Sequence, residues 1–274
     1  MNEISVDDWI DVWDVDTFDT ELRTLLDDHS ELIRSYWRES SRLFMEREAQ
    51  TLRGPPEENI HGGAYVRLKE RLGGLMERRT IRAWHFTRLT EQEVESIRLA
   101  GMQPMSLDLI QHRLAAVVGE GLLHRHDSEA LYATSPFHDR LADGRSARIW
   151  LAATPYPIDD SGVRELLELW GGESVSFIHR QGRLHELLRT IGRPRILEIA
   201  LPLAATTRAF SAGENVLDHY SFRLGCTGGW GGGADIVAVE PIRPDWILKV
   251  HSAGDPSFEA MARGYPERFT GVEG

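Results

Sequence analysis

Trp84-His85-Phe86-Thr87-Arg88-Leu89, running through Thr90 to Ala100 into Gly101-Met102-Gln103-Pro104, is the stretch on which the fold turns. Ile81 to Thr87 has the aromatic and β-branched content of a strand. Alternation along it sets His85 and Thr87 on one face and Trp84, Phe86 and Arg88 on the other. Glu91 to Ala100 then reads as a helix. Thr90 is its cap, Glu93 three residues on completes a capping box, and Gly101 is its stop. The strand ends in polar side chains and runs straight into a capped helix, so their junction is a candidate place for chemistry.

Working outward, Arg148 to Ala153, Ser174 to His179, Arg195 to Leu201 and Asp235 to Val239 read as strands, with Trp246 to Val250 as a fifth candidate. Helices are expected over Leu107 to Leu123, Ser161 to Leu169 and Arg183 to Ile191. Strands and helices do not alternate strictly, so the pattern predicts an α+β fold and not a doubly wound parallel sheet. Upstream, Asp7 to Ala49 reads as helical, with Trp9, Ile10, Trp13, Leu22, Leu25 and Leu26 at three-to-four spacing. Thr17 or Asp19 is the expected cap of its second piece. Gly54-Pro55-Pro56-Glu57-Glu58-Asn59 breaks the helix, and a short helix follows over Tyr65 to Met76. The change of texture sets a boundary near residue 80, with a helical region over 1–80 and an α+β domain over 81–274.

The 274 residues carry a formal net charge of −12, which argues against non-specific coating of nucleic acid, since that binding needs Lys and Arg on the phosphates. The charge is segregated. The first thirty positions are rich in Asp and Glu and fit a basic partner, whereas Arg34, Arg38 and Arg42 recur every fourth residue as a helical stripe. The single cysteine, Cys226, excludes an internal disulfide and a multi-cysteine zinc site. The acidic start is unlike a signal peptide, and no apolar run approaches the ~20 residues that span a bilayer. A cytoplasmic protein without membrane attachment is expected.

The His85-x-Thr87 strand, followed by a helix of the pattern V-E-x-I-x-x-x-G-M at Val94 to Met102, resembles the opening of the ADP-ribosyltransferase superfamily. The resemblance is to its diphtheria-toxin-like and PARP-like branch, with DarT-type toxins and RNA 2′-phosphotransferases as relatives. A second match lies at the far end. Gly228 to Gly233 precede Asp235-Ile236-Val237-Ala238-Val239, and Pro241-Ile242-Arg243-Pro244-Asp245-Trp246-Ile247 then leads into the last strand candidate. The family similarly has a mobile loop, a catalytic acid opening a strand, and a P-I-x-P-x-x-I turn. The resemblance covers roughly residues 81 to 251. It implies a split, mostly antiparallel sheet around an NAD cleft, with NAD as substrate. In that cleft His85 would hold a ribose hydroxyl with Thr87 beside it, Trp150 or Tyr156 would stack on the nicotinamide, and Asp235 would stand where the family has a catalytic glutamate. The implied activity is transfer of ADP-ribose to a macromolecule, protein or nucleic acid, as toxins and phage-defence effectors of the superfamily do.

The chemistry explains the residue types. Cleaving the nicotinamide–ribose bond passes through an oxocarbenium-like state, which a nearby carboxylate stabilises. A carboxylate also orients the nucleophile or draws off its proton, work worth ~10²- to 10⁴-fold in rate. Glu173 is a second catalytic candidate, because Gly171-Gly172 end a helix and deliver it to the mouth of the expected strand over Ser174 to His179. Glu240, five residues past Asp235, falls on the opposite strand face. His124-Arg125-His126-Asp127 lacks a further spaced ligand and reads as a solvated loop, so no metal site is expected. Two rival readings follow. One is a binding or regulatory protein that keeps the fold with a degenerate site, argued from aspartate at position 235. The other is a nucleic-acid enzyme using the arginine stripe, which the net charge disfavours.

Overall fold

The computed structural model describes residues 9–50, 57–138, 146–179, 181–207, 209–226 and 235–265. Its chain forms an α+β fold. In order, the elements are β1 (Trp9–Ile10), α1 (Thr20–Asp28), α2 (Ser30–Gln50), α3 (Gly62–Met76), β2 (Thr80–Leu89), α4 (Glu91–Ala100), α5 (Leu107–Gly119), α6 (Arg125–Ala133), β3 (Ile149–Ala152), α7 (Ser161–Glu168), α8 (Glu173–Ser176), α9 (Arg183–Thr190), β4 (Arg193–Pro202), α10 (Ala209–Arg223), β5 (Asp235–Ala238), β6 (Ile247–Ser252) and α11 (Pro256–Met261). Among the described residues the sheet has six strands in the order β5-β3-β2-β4-β6, with β1 alongside β2. All pairings are antiparallel except β1 with β2.

Each strand face has its own cover. Ile81, Ala83 and Leu89 of β2 and Leu197, Ile199 and Leu201 of β4 share a core with Leu22 and Leu26 of α1, Leu68 and Leu72 of α3, and Val216 and Leu217 of α10. Trp84, Phe86 and Ile196 point the other way, onto Val163 and Leu167 of α7 and Phe258 of α11. A satellite core gathers Ile110 and Leu114 of α5, Leu131 of α6, Trp170 and Leu188. The first core runs across residue 80, so the change of texture there is not a break in packing. The linker expected at Gly54 to Asn59 lies partly outside the described residues.

Local signals act as their chemistry requires. Asp19 caps α1 by accepting from the Leu22 N–H at 2.9 Å. Thr90 and Glu93 form the expected capping box on α4. Gly101, with φ 76°, closes that helix where an added Cβ would lie 2.0 Å from the Ile242 carbonyl oxygen, so only glycine fits beneath the bridge between Met102 and Ile242.

Two expectations are corrected. Trp9 and Ile10 are not helical; they pair with Thr80 and Ile81 as a parallel strand. Ser174 to His179 is not a strand either. Its opening residues form α8, where the Ser174 and Ser176 hydroxyls donate to the carbonyls of Gly171 and Gly172 at 2.8 and 2.7 Å and Val175 sinks into the satellite core. Serine side chains bonding back to the preceding turn make a compact helical turn more favourable than an extended run. The helix α10 was unanticipated, although Ala212, Val216, Leu217 and Tyr220 form a helical stripe of buried residues.

The acidic amino-terminal residues are docked onto the body. Asp11 receives Nε of Arg82 at 2.8 Å, Asp19 receives Nε of Arg79 at 2.6 Å, and Asp16 pairs with Arg223 at 2.5 Å. Of the arginine stripe, Arg42 is engaged by Glu39 and Glu46 on its own helix, each at 2.7 Å. No helix among the described residues is long and apolar enough to cross a membrane.

Candidate functional site

Strand β2 is treated differently on its two edges, and the site follows from that. Along one edge it pairs with β4 continuously, from Thr80 with Pro202 to Leu89 with Arg193. Along the other it meets β1 at its start and β3 only at Trp84 with Ala152. Just past that pair the His85 ring reaches across, its Nδ1 2.8 Å from the Trp150 carbonyl oxygen. A side chain thus serves a strand carbonyl where the ladder stops.

Two adjoining cavities flank this gap. The larger, about 930 Å³, lies against α7 and includes Trp84, Tyr156 and Asp235 in its wall. The smaller, about 450 Å³, lies under α4 and α5 and includes Thr87, Arg113 and Arg148. His85, Phe86, Trp150, Leu166 and Glu173 line both. Gly171 shapes the turn between α7 and α8. Its φ is 88°, and an added Cβ would meet the Val175 side chain at 2.5 Å.

All six residues singled out from the sequence line this cleft. His85, Trp150 and Glu173 face both cavities, Thr87 the smaller, and Tyr156 and Asp235 the larger. Glu173 comes to it by a route other than the expected one, at the first position of α8 and not at a strand mouth. Asp235 opens β5 opposite Ala152 and is exposed, whereas the three residues after it are buried. The glycine cluster at 228–233 lies outside the described residues.

Burial holds the His85 imidazole below its ordinary pKa and the charge of Arg113 acts the same way, against the opposing pull of the Trp150 carbonyl. The ring is therefore neutral at pH 7. With Nδ1–H donated to Trp150, Nε2 carries the lone pair and is an acceptor. Burial pushes the Tyr156 hydroxyl up, and the negative charge of Asp235 adds to it, so the phenol stays protonated beside the carboxylate.

Glu93 organises the smaller cavity. One carboxylate oxygen accepts from Arg113 Nε at 2.7 Å, and the other accepts from the Thr90 N–H at 2.8 Å and from Trp170 Nε1 at 2.9 Å. The Arg113 guanidinium lies 4.9 Å from the centre of the Trp170 ring, and its Nη2 is buried with no hydrogen-bond partner. Reading the sequence alone missed Arg113 and Arg148. Arg113 does leave a trace, as a cation directly beside Leu114 on the buried stripe of α5.

The remaining motifs are structural or displaced. His124-Arg125-His126-Asp127, expected as a loop, begins α6, and Arg183 bonds the Asp127 carboxyl and holds it below its usual range. Among the described residues no group of three or more His, Cys, Asp or Glu is arranged to hold a metal ion. Burial pushes the Cys226 thiol up, against the charges of Arg34 and Arg38, the opposite of nucleophile activation. Glu240 is exposed beyond the end of β5 and lines neither cavity. No family model matches this chain, and neither a curated protein nor a solved structure matches it.

Proposed function

We propose that the chain is an NAD-dependent ADP-ribosyltransferase whose cleft opens where β2 and β3 part. One observation carries this reading: residues from four separate stretches, His85 and Thr87, Trp150 and Tyr156, Glu173, and Asp235, line one pair of adjoining cavities. In it, the Nε2 acceptor of His85 takes a ribose hydroxyl. Arg113 and Arg148, which line the smaller cavity, meet the pyrophosphate. Trp150, 36% exposed on the rim, offers its ring to the nicotinamide. Asp235 faces the anomeric carbon as the C–N bond lengthens and positive charge develops there.

Aspartate at this position supports a second reading, a binding protein that holds NAD without cleaving it, because its carboxylate sits one methylene short of a glutamate's. One assay separates the two. Purified protein is incubated with NAD and release of free nicotinamide is followed, beside calorimetric titration with NAD. Release that Asp235→Asn abolishes while NAD affinity persists is the expected result. NAD binding with no release by the wild type makes the protein a binding module, and no heat at millimolar NAD removes the cofactor altogether.

A further inference from the structure

The Arg34, Arg38, Arg42 stripe takes no part in the cleft. It lies on α2, a helix packed through only part of its length. Ile33 is fully buried, Tyr36 stacks on Tyr65 with ring centres 3.7 Å apart, and the Asn59 amide donates to the Tyr36 carbonyl and the Ser40 hydroxyl, each at 2.8 Å. Past Ser40 the packing stops. None of residues 41–48 is buried, and Phe44 and Met45 stand 63% and 65% exposed. Two adjacent large apolar side chains on a charged helix end are a surface with something to gain from a partner. The charges beside them are uneven. Arg42 is held by Glu39 and Glu46, whereas Arg34, Arg38 and Glu48 are exposed and make no ion pair among the described residues. Positions 34, 38, 41, 45 and 48 recur at alternating steps of four and three, the spacing of a helix-pairing seam. The seam is cationic at its start, small at Ser41 in the middle, and carries the Met45 thioether and the Glu48 carboxylate at its end.

We infer that this face of α2 docks a second copy of the chain, laid antiparallel across it about a two-fold axis at Ser41. Such an axis sets Arg34 opposite the partner's Glu48, Arg38 opposite its Phe44 and Trp37 opposite its Met45, and each pair occurs twice. The pairs match in kind: guanidinium with carboxylate, cation with aromatic face, indole with thioether. Ser41 is small enough for the two helices to close at the crossing. The face is thus complementary to itself, and a partner of one charge sign would match one end of it and oppose the other. A phosphate backbone would meet Glu48 beside Met45, on a chain of net charge −12, so nucleic acid is the disfavoured occupant. One helix face is a small contact, so the association is weak and reversible. It does not involve NAD, and its failure would leave the transferase reading untouched.

The test is analytical ultracentrifugation of the full chain over a concentration range reaching ~300 μM, where a micromolar association is well populated. The mean mass of the wild type is expected to rise with concentration toward that of a dimer. Arg34→Glu and Glu48→Arg each place like charges opposite one another twice, and each should weaken self-association by about tenfold or more. Mixed in equal amounts, the two variants should associate at least as well as the wild type, because in the mixed pair both contacts become opposite in sign. The double variant should also regain association with itself. Recovery on mixing uses the same two chains, so misfolding of either cannot imitate the expected result. A wild type that stays monomeric throughout, a dimer indifferent to both single variants, or single variants that fail to recover on mixing overturns the inference. A monomeric wild type that binds a duplex DNA oligomer and loses it on Arg34→Glu would assign the stripe to phosphates instead.

Discussion

The two edges of β2 put one strand to opposite uses. On the β4 edge ten successive residues find partners, and the pairing carries Ile196, Leu197 and Ile199 into full burial. On the β3 edge a single pair forms, and the chain beyond it borders cavities whose lining includes His85, Thr87, Trp150, Glu173 and Asp235. A continuous ladder satisfies every backbone group and leaves no room for a ligand. An interrupted one frees carbonyls and side chains at the cost of local cohesion, and here the His85 ring spans the first step of the gap. Continuous pairing and the cavity-lined cleft thus lie on the two sides of one element.

If that division is right, substitutions on the two edges should differ in kind. On the sealed edge Ile199→Ala leaves a cavity in the core and should cost about 2–5 kcal/mol, seen as a lower urea midpoint, with NAD affinity of the folded protein little changed. A loss well under 1 kcal/mol would show that β4 is not where the fold is anchored. On the open edge Asp235→Asn should cut nicotinamide release by ~10²- to 10³-fold while the midpoint hardly moves, since the side chain is exposed. Unchanged turnover would take Asp235 out of the mechanism.

Smaller effects sharpen the contrast. His85→Ala removes one acceptor for the ligand, and calorimetry should record a fall in NAD affinity of ~3- to 10-fold, the worth of a single hydrogen bond. The pH dependence has a definite sign. The folded pKa of His85 lies below the ordinary 6.5, so Nε2 accepts throughout neutral pH. NAD affinity should stay level from pH 8 down to about 6.5 and decline only below it, as Nε2 takes up a proton. Because the unfolded chain binds that proton first, the group's contribution to stability is complete above about 6.5 and is lost as pH falls toward the folded value. A decline in affinity already complete at pH 7 would contradict a desolvated, neutral imidazole. The least effect is expected at the joint itself: Thr90→Ala removes the cap of α4 and should cost ~1 kcal/mol. A much larger loss would mean that α4, and not the β2–β4 ladder, holds the cleft open.

Much of this arrangement is short-range and could be read directly. The capping box at Thr90 and Glu93, the stop at Gly101, the split of His85 and Thr87 from Trp84 and Phe86, and the α+β class all depend on residues within a few positions of one another. Where short-range reading failed, a distant contact had decided the outcome. Trp9 and Ile10 have helical spacing, yet Thr80 and Ile81 recruit them as a strand, and Arg82 binds Asp11 beside them. Ser174 to Ser176 alternate as a strand would, but the Ser135 hydroxyl donates to the Ser174 carbonyl at 2.7 Å, and Val175 packs with Leu188 and Ile191. Glu173 therefore lines the cleft from the start of α8 and not from a strand mouth.

Arg113 and Arg148 belong to the site only because α5 and β3 fold against the same gap, some sixty positions after β2 in the case of β3. By itself the sequence determined which side chains share a strand face or a helix end, since periodicity and capping are properties of neighbouring backbone. Which carboxylates, cations and rings converge on the cleft was decided by where the β2–β3 ladder stops. That stop is set by long-range packing, which local spacing does not encode.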